Sequence, residues 1–242
     1  VTNPAETRPS IAELVGRDGF AFLHDAEMRG VLEANGLRDW DAFAATWEDL
    51  GLDTYMADGG RYRRRRHGAF RAAGDAIVRQ EHRPHYQSRD YNALNGGIAR
   101  WFDPVSEQTA AMPAFQAILR TCQRVFDTLS PGVPAWEVEV HQFRITAQPG
   151  QEGRPTPEGM HRDGVDWVLV LLVRRENIAS GETTIHDLDR RLLGSFTLAR
   201  PMDAAWVDDS RVYHGVTPVE PRDPARPAFR DVMVVTFKRE VV

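Results

Sequence analysis

Cysteine is almost absent from this chain. Cys122 stands alone among 242 residues, so no internal disulfide braces the fold, and the scarcity fits a reducing compartment. Long apolar runs are missing too. None approaches the length of a membrane-crossing helix, and the polar start Val1-Thr2-Asn3-Pro4-Ala5-Glu6 does not read as a secretory signal, so a cytoplasmic protein is expected. Positive charge is not in surplus, since 30 Lys and Arg face 35 Asp and Glu for a net −5. That balance disfavours a general nucleic-acid or anionic-membrane binder. No repeat, low-complexity tract or linker divides the chain. Residues 1–242 are therefore read as one domain, with enough hydrophobic content (42%) for a sizeable core.

The first half alternates helices with polar stretches. Ser10 to Val15 has the pattern of a capped helix, with Ser10 as cap and Glu13 three residues on. A short strand, Gly19 to Leu23, precedes helical stretches at Ala26–Asn35 and Trp40–Leu50, which end at Gly36 and Gly51. Arg61 to Phe70 then carries five arginines in ten residues. As a strand it puts Tyr62, Arg64 and Arg66 on one face and Arg61, Arg63 and Arg65 on the other. Either the run is a solvated basic face, or one side points into a pocket and clamps a carboxylate. The acidic total favours the pocket. His82 to Gly97 has the composition of a loop, either plain surface or the edge of a pocket. From Ser106 to Leu129 apolar residues recur at three- and four-residue spacing, which predicts one long helix lying on a sheet, with Cys122 as a buried, inert thiol on its stripe.

After Pro134 the periodicity becomes that of strands. Trp136 to Ile145 places Glu137, Glu139, His141 and Phe143 on one side and Val138, Val140, Gln142 and Arg144 on the other. Further strands are predicted at 167–174, 182–186, 195–198, 204–207, 212–216 and 230–238, a spacing that argues for a sandwich or barrel buttressed by the preceding helices.

Within this half, Gly159-Met160-His161-Arg162-Asp163-Gly164 stands out. Chance supplies roughly one His-x-Asp/Glu pair in a chain with 8 His and 35 acidic residues, so context must decide. The pair opens onto the apolar run Trp167 to Val173, His214 lies in another short strand, and Arg230 follows sixteen residues later at the start of a third. Two imidazole nitrogens and one carboxylate oxygen on one face of a metal leave the opposite face open, which is the ligand set of non-haem Fe(II) oxygenases. The same three residues would also suit a zinc hydrolase that activates water, or a non-catalytic jelly-roll module that retains a metal. Arg230 separates these readings, because zinc hydrolysis has no stated need for it.

The segments Glu158 to Asp166, Gly181-Glu182-Thr183-Thr184, Asp209 to Pro218 and Phe229 to Val234 resemble the bacterial 2-oxoglutarate/Fe(II) dioxygenases that include the L-isoleucine 4-hydroxylases. The likeness extends upstream through Arg65 to Gly68 and Asn92 to Phe102. It implies a mainly β protein with flanking helices, built on a double-stranded β-helix, the cupin-like jelly roll. Residues 134–242 would form the jelly-roll core with the metal site, and residues 1–133 a helix-rich buttress with pocket elements. Fe(II) would be held by His161, Asp163 and His214, and Arg230 would pair with the distal carboxylate of 2-oxoglutarate. O2 would be the oxidant, with ascorbate as the reductant in vitro. The presence of Asp163 favours hydroxylation, since related halogenases replace that carboxylate with a small residue. The implied substrate is a small molecule, a free L-amino acid, with Arg66 or Arg144 as partners for its carboxylate and Thr183, Thr184 or His141 as further contacts. Desaturation and cyclisation remain open at the same centre, and the sequence does not fix the oligomeric state.

Overall fold

The computed structural model describes residues 9–92 and 94–240; the polar start discussed above lies outside them. The first half supplies α1 (Ile11–Asp18), β1 (Phe20–Leu23), α2 (Asp25–Ala34), α3 (Trp40–Ala45), β2 (Gly51–Leu52), β3 (Arg63–Ala73) and β4 (Ala76–Arg79). Two helices follow, α4 (Glu107–Ala111) and α5 (Pro113–Leu129). The second half opens with the long strands β5 (Trp136–Ala147) and β6 (Trp167–Glu176). The short β7 (Ile178–Ser180), β8 (Thr183–His186), β9 (Leu192–Phe196), β10 (Ala204–Asp208), β11 (Tyr213–Val216) and β12 (Val219–Pro221) lead to β13 (Ala228–Arg239). No helix of the described residues is long and apolar enough to cross a membrane.

An antiparallel eight-stranded sheet runs β1-β10-β6-β13-β5-β3-β2, with β4 paired to β3. Two smaller sheets, β11-β8-β9 and β12-β7, complete the jelly roll. Alternation gives the large sheet two different faces. Val138 and Val140 of β5, Leu169 and Leu171 of β6, and Met233, Val235 and Phe237 of β13 pack with the helices in one core. There Phe126 of α5 stacks on Trp167 at 5.7 Å and meets Phe237 edge-on at 5.1 Å. The opposite face carries Arg63 and Arg65 of β3, Glu139 and His141 of β5, and Arg230 and Val232 of β13 into a cavity.

Ser10 caps α1 with the reciprocal Glu13 contact that the sequence predicts. The predicted 106–129 helix is broken, however. Met112 is extended at φ −64°, ψ 138°, because Pro113 disfavours the helical conformation in the residue before it while its own fixed φ suits the first turn of α5. The 40–50 stretch likewise ends α3 at Ala45 and tightens into a 3-10 turn over Thr46–Asp49. Cys122 is fully buried on α5, and burial pushes its thiol well up.

Candidate metal centre

The ligand set is assembled by backbone pairing. His161 and His214 exchange N–H···O bonds of 2.9 Å in both directions, which sets their imidazoles side by side at 4.5 Å between ring centres. Asp163 turns back toward both rings, 3.7 Å from His161 Nε2 and 3.5 Å from His214 Nε2. Metal–nitrogen bonds of about 2.1 Å at right angles put neighbouring ligand atoms roughly 3 Å apart, so small rotations bring this set onto one ion. His161 Nδ1 faces the Gly159 carbonyl at 3.1 Å and must carry the proton, which leaves the Nε2 lone pair free for a metal. Two imidazoles and a carboxylate with a free face fit Fe(II).

Asp209 fixes the turn. Its carboxylate accepts N–H bonds from Asp163 (2.8 Å), Gly164 (2.7 Å) and Val165 (3.1 Å). Gly164 has φ +80°, and a Cβ there would meet the Tyr91 ring at 2.6 Å, so the turn requires glycine on both counts. From the 82–97 loop, Gln87 donates at 3.3 Å to the Asp163 carbonyl and carboxylate, and Asn92 donates to Gln87 at 3.1 Å. This loop is therefore a pocket edge, with His85, Tyr86, Gln87 and Asn92 on the cavity wall.

The electrostatics of the bare site follow from burial and charge. Burial opposes the charge on His161, but the Asp163 bond and charge, with Glu158 nearby, push it up to about 9. His214, buried beside that cation, is pushed down to about 4. Burial would raise Asp163, yet the two imidazoles hold it well below the usual carboxylate range. Asp209 goes the other way, up to about 7, because burial and the Asp163 charge outweigh its three N–H donors.

Arg230 lines the same cavity of about 230 Å³. It is 2% exposed, and its Nε and Nη2 have no hydrogen-bond partner among the described residues. Burial and the neighbouring Arg175 lower it to about 10, which still leaves it charged at neutral pH. A buried cation with idle donors is costly, so the site suits an anion.

A second cluster of His67, His85, Glu139 and His141 lies between β3, β5 and the 82–97 loop. His85 Nδ1 donates to Glu139 at 2.7 Å, and Arg65 Nη2 donates to His141 Nδ1 at 2.7 Å. Arg65 itself is sandwiched between Phe102 and Phe143, with its guanidinium carbon 3.8 and 4.5 Å from the ring centres. Despite burial Glu139 is held low by His67 and His85, while burial pushes His85 down to about 4 and His141 well below its usual range.

Of the substrate contacts expected from sequence, His141 alone lines the cavity. Arg66 sits on the other face of β3, bonded to the Asp49 carboxylate (2.9 Å) and to the Asp49 and Pro104 carbonyls. Arg144 faces away from His141 as strand parity requires, and grips Asp231 at 2.7 and 2.8 Å with Glu48 beyond. Thr183 and Thr184, on β8 opposite Val216 and Gly215, lie outside the cavity lining. Sequence reasoning gave no role to Gln87, Arg100, Glu158 or Asp209. The last three fall inside segments that carry the family resemblance, which was the available signal.

Residues 44–236 match the sequence model of the 2OG-Fe dioxygenase family. The chain is 24% identical over 235 residues to 3(1)-hydroxy-L-isoleucine 4-dioxygenase of Pantoea ananatis (strain AJ13355), covering 93% of this chain and 94% of that one. It is 28% identical over 156 residues to L-isoleucine-4-hydroxylase of Bacillus thuringiensis, covering 63% and 64% respectively. Among solved structures, a bsmA homolog from Methylobium petroleophilum PM1 superposes with TM-score 0.85 at 37% identity, over 95% of this chain and 92% of that one.

Proposed function

The chain belongs to the 2OG-Fe dioxygenase family, and from that premise we propose that it hydroxylates an unactivated C–H bond of a free L-amino acid. The family's reagents are Fe(II), 2-oxoglutarate and O2. In this reading His161, Asp163 and His214 hold the metal and leave its other face to the keto acid and O2. Bound there, iron and 2-oxoglutarate supply the oxidising power, with the keto acid leaving as succinate and CO2 while one oxygen atom enters the substrate. Arg230 takes the distal carboxylate of 2-oxoglutarate through its idle donors, which orients the keto acid toward the triad. Asp209 and Gln87 keep the Asp163 turn in position before anything binds.

The observation that carries this reading is Arg230, a buried guanidinium whose Nε and Nη2 have no hydrogen-bond partner among the described residues, in the same cavity as a His-Asp-His cluster. A zinc hydrolase has no use for it. The amino-acid substrate is supported by the two curated relatives, whose names specify isoleucine or hydroxy-isoleucine. The test is mass spectrometry of pooled free L-amino acids incubated aerobically with the protein, Fe(II), ascorbate and 2-oxoglutarate. One amino acid should gain an oxygen atom with matching succinate. A loss of two hydrogens instead would make the enzyme a desaturase, and the absence of any amino-acid product would overturn the substrate assignment.

A further inference from the structure

Arg230 is matched by a second buried guanidinium with idle donors. Arg100 lines the same cavity, is 2% exposed, and has no partner for Nε or Nη2 among the described residues. Its backbone is pinned by reciprocal bonds to His85, of 3.0 and 2.9 Å, so the side chain starts from a fixed point. Its surroundings are already rich in positive charge. Arg63 lies 2.7 Å and Arg65 3.8 Å from the Asp53 carboxylate, so that acid is already shared by two guanidiniums before Arg100.

Glu158 is the complement. It lines the cavity beside the candidate metal ligands, with Oε1 3.5 Å from His161 Nδ1, and its buried Oε2 has no hydrogen-bond partner among the described residues. Arg100 and Glu158 sense each other's charge but do not form an ion pair. Glu139, which also lines the cavity, is already engaged by His85.

We propose that Arg100 and Glu158 form the receiving pair for a zwitterion, Arg100 binding the carboxylate and Glu158 the ammonium of an α-amino acid. The proposal rests on the free-amino-acid reading above and supplies its head-group contacts. A simple anion on Arg100 would face Glu158 with like charge, and a simple amine on Glu158 would leave Arg100 unpaired; a group bearing both charges satisfies both. Because Glu158 and Arg100 line the cavity that also holds His161, Asp163 and His214, an amino acid held this way lies in the same cavity as the triad.

The experiment is calorimetric titration of the protein loaded with Mn(II) and 2-oxoglutarate, using each common L-amino acid in turn. The tightest binder is then compared with its amide and its 2-hydroxy acid. Each analogue should bind the unaltered protein at least about 30-fold more weakly, as expected when one member of a buried charge pair loses its partner. Arg100→Gln should abolish the discrimination between acid and amide while 2-oxoglutarate affinity stays within about twofold. Glu158→Gln should abolish the discrimination between amine and hydroxyl. Equal binding of acid, amide and hydroxy acid by the unaltered protein overturns the proposal without any variant having to fold. If 2-oxoglutarate binds and no L-amino acid does, the free-amino-acid reading fails and this one with it. If an amino acid binds with its carboxylate recognised as before in Arg100→Gln, only the receiving pair is wrong.

Discussion

Two histidine–carboxylate clusters face one cavity. In the first, His161 gives its Nδ1 proton to the Gly159 carbonyl, so its inner nitrogen is free to bind a metal. In the second, Arg65 donates to Nδ1 of His141, which forces the proton onto Nε2, 3.7 Å from Glu139. That imidazole is a donor where a metal needs a lone pair, and a guanidinium stands behind it. Ligand identity is therefore not enough: the outer hydrogen bond decides which nitrogen can coordinate, and it withholds His141 from a metal while leaving His161 available.

The sharpest way to break this comparison is to remove one carboxylate at a time. Asp163→Ala should abolish turnover and iron retention, whereas Glu139→Gln should keep one iron per chain by elemental analysis; a second equivalent lost with Glu139 would make its cluster a metal site after all. Arg230→Ala should spare the iron but raise the 2-oxoglutarate concentration needed for half-maximal succinate formation, by about 2–5 kcal/mol of lost binding. An unchanged requirement would move that role elsewhere.

A third prediction uses pH. The folded protein holds His85 at about 4 against roughly 6.5 when unfolded, so below 6.5 the unfolded chain takes up the proton first. Stability present above pH 6.5 is then lost as pH falls toward 4, by up to about 3 kcal/mol from this group. Glu139, also depressed in the fold, adds a loss below about 4.3. The other groups around His85 are Arg65, Arg100, His67 and His141, and the cations among them reinforce the effect by opposing its protonation. Denaturant unfolding between pH 7 and 4 of the protein and of His85→Gln checks this, because the difference between the two profiles isolates this group from the triad, whose metal affinity itself falls as its ligands protonate; identical profiles would mean that His85 is not held below its ordinary value. The smallest expected effect is Asp209→Asn, which keeps one of the two acceptor oxygens and replaces the other with a donor facing a backbone N–H, and should weaken iron affinity about 10- to 100-fold.

What was legible in the sequence follows from range. The His161–Asp163 pair and the strand after it are local, and β11 and β13 announce themselves as strands set off by turn residues, so the three candidate ligands and Arg230 could be picked out together. Alternation splits the arginine strand into two faces but does not say which is inward. That depends on Asp49, which holds Arg66 outside, and on β5, which places His141 and Phe143 over Arg65. Arg144 was misassigned as a substrate contact for the same reason, since Asp231, its ion-pair partner, lies 87 residues away on β13. Arg100 sits in an aperiodic loop, where no pattern predicts burial.

The paired backbone of His161 and His214 makes this chemistry sensitive to chain length. Asp209 ties the Asp163 turn to the segment that, five residues on, delivers His214, so an insertion or deletion between them would slip the register and turn the imidazole to the wrong side. The turn at 187–191, whose hydrogen bonds close between Asp187 and Arg190 or Arg191, is under no such constraint, whereas 148–157 is held by the Gly153–Val219 pairing and the Thr156–Val216 bonds. Lineages built on this scaffold should therefore diversify by lengthening that turn and exchanging single side chains on the cavity wall, altering what is oxidised while the spacing from 209 to 214 stays fixed.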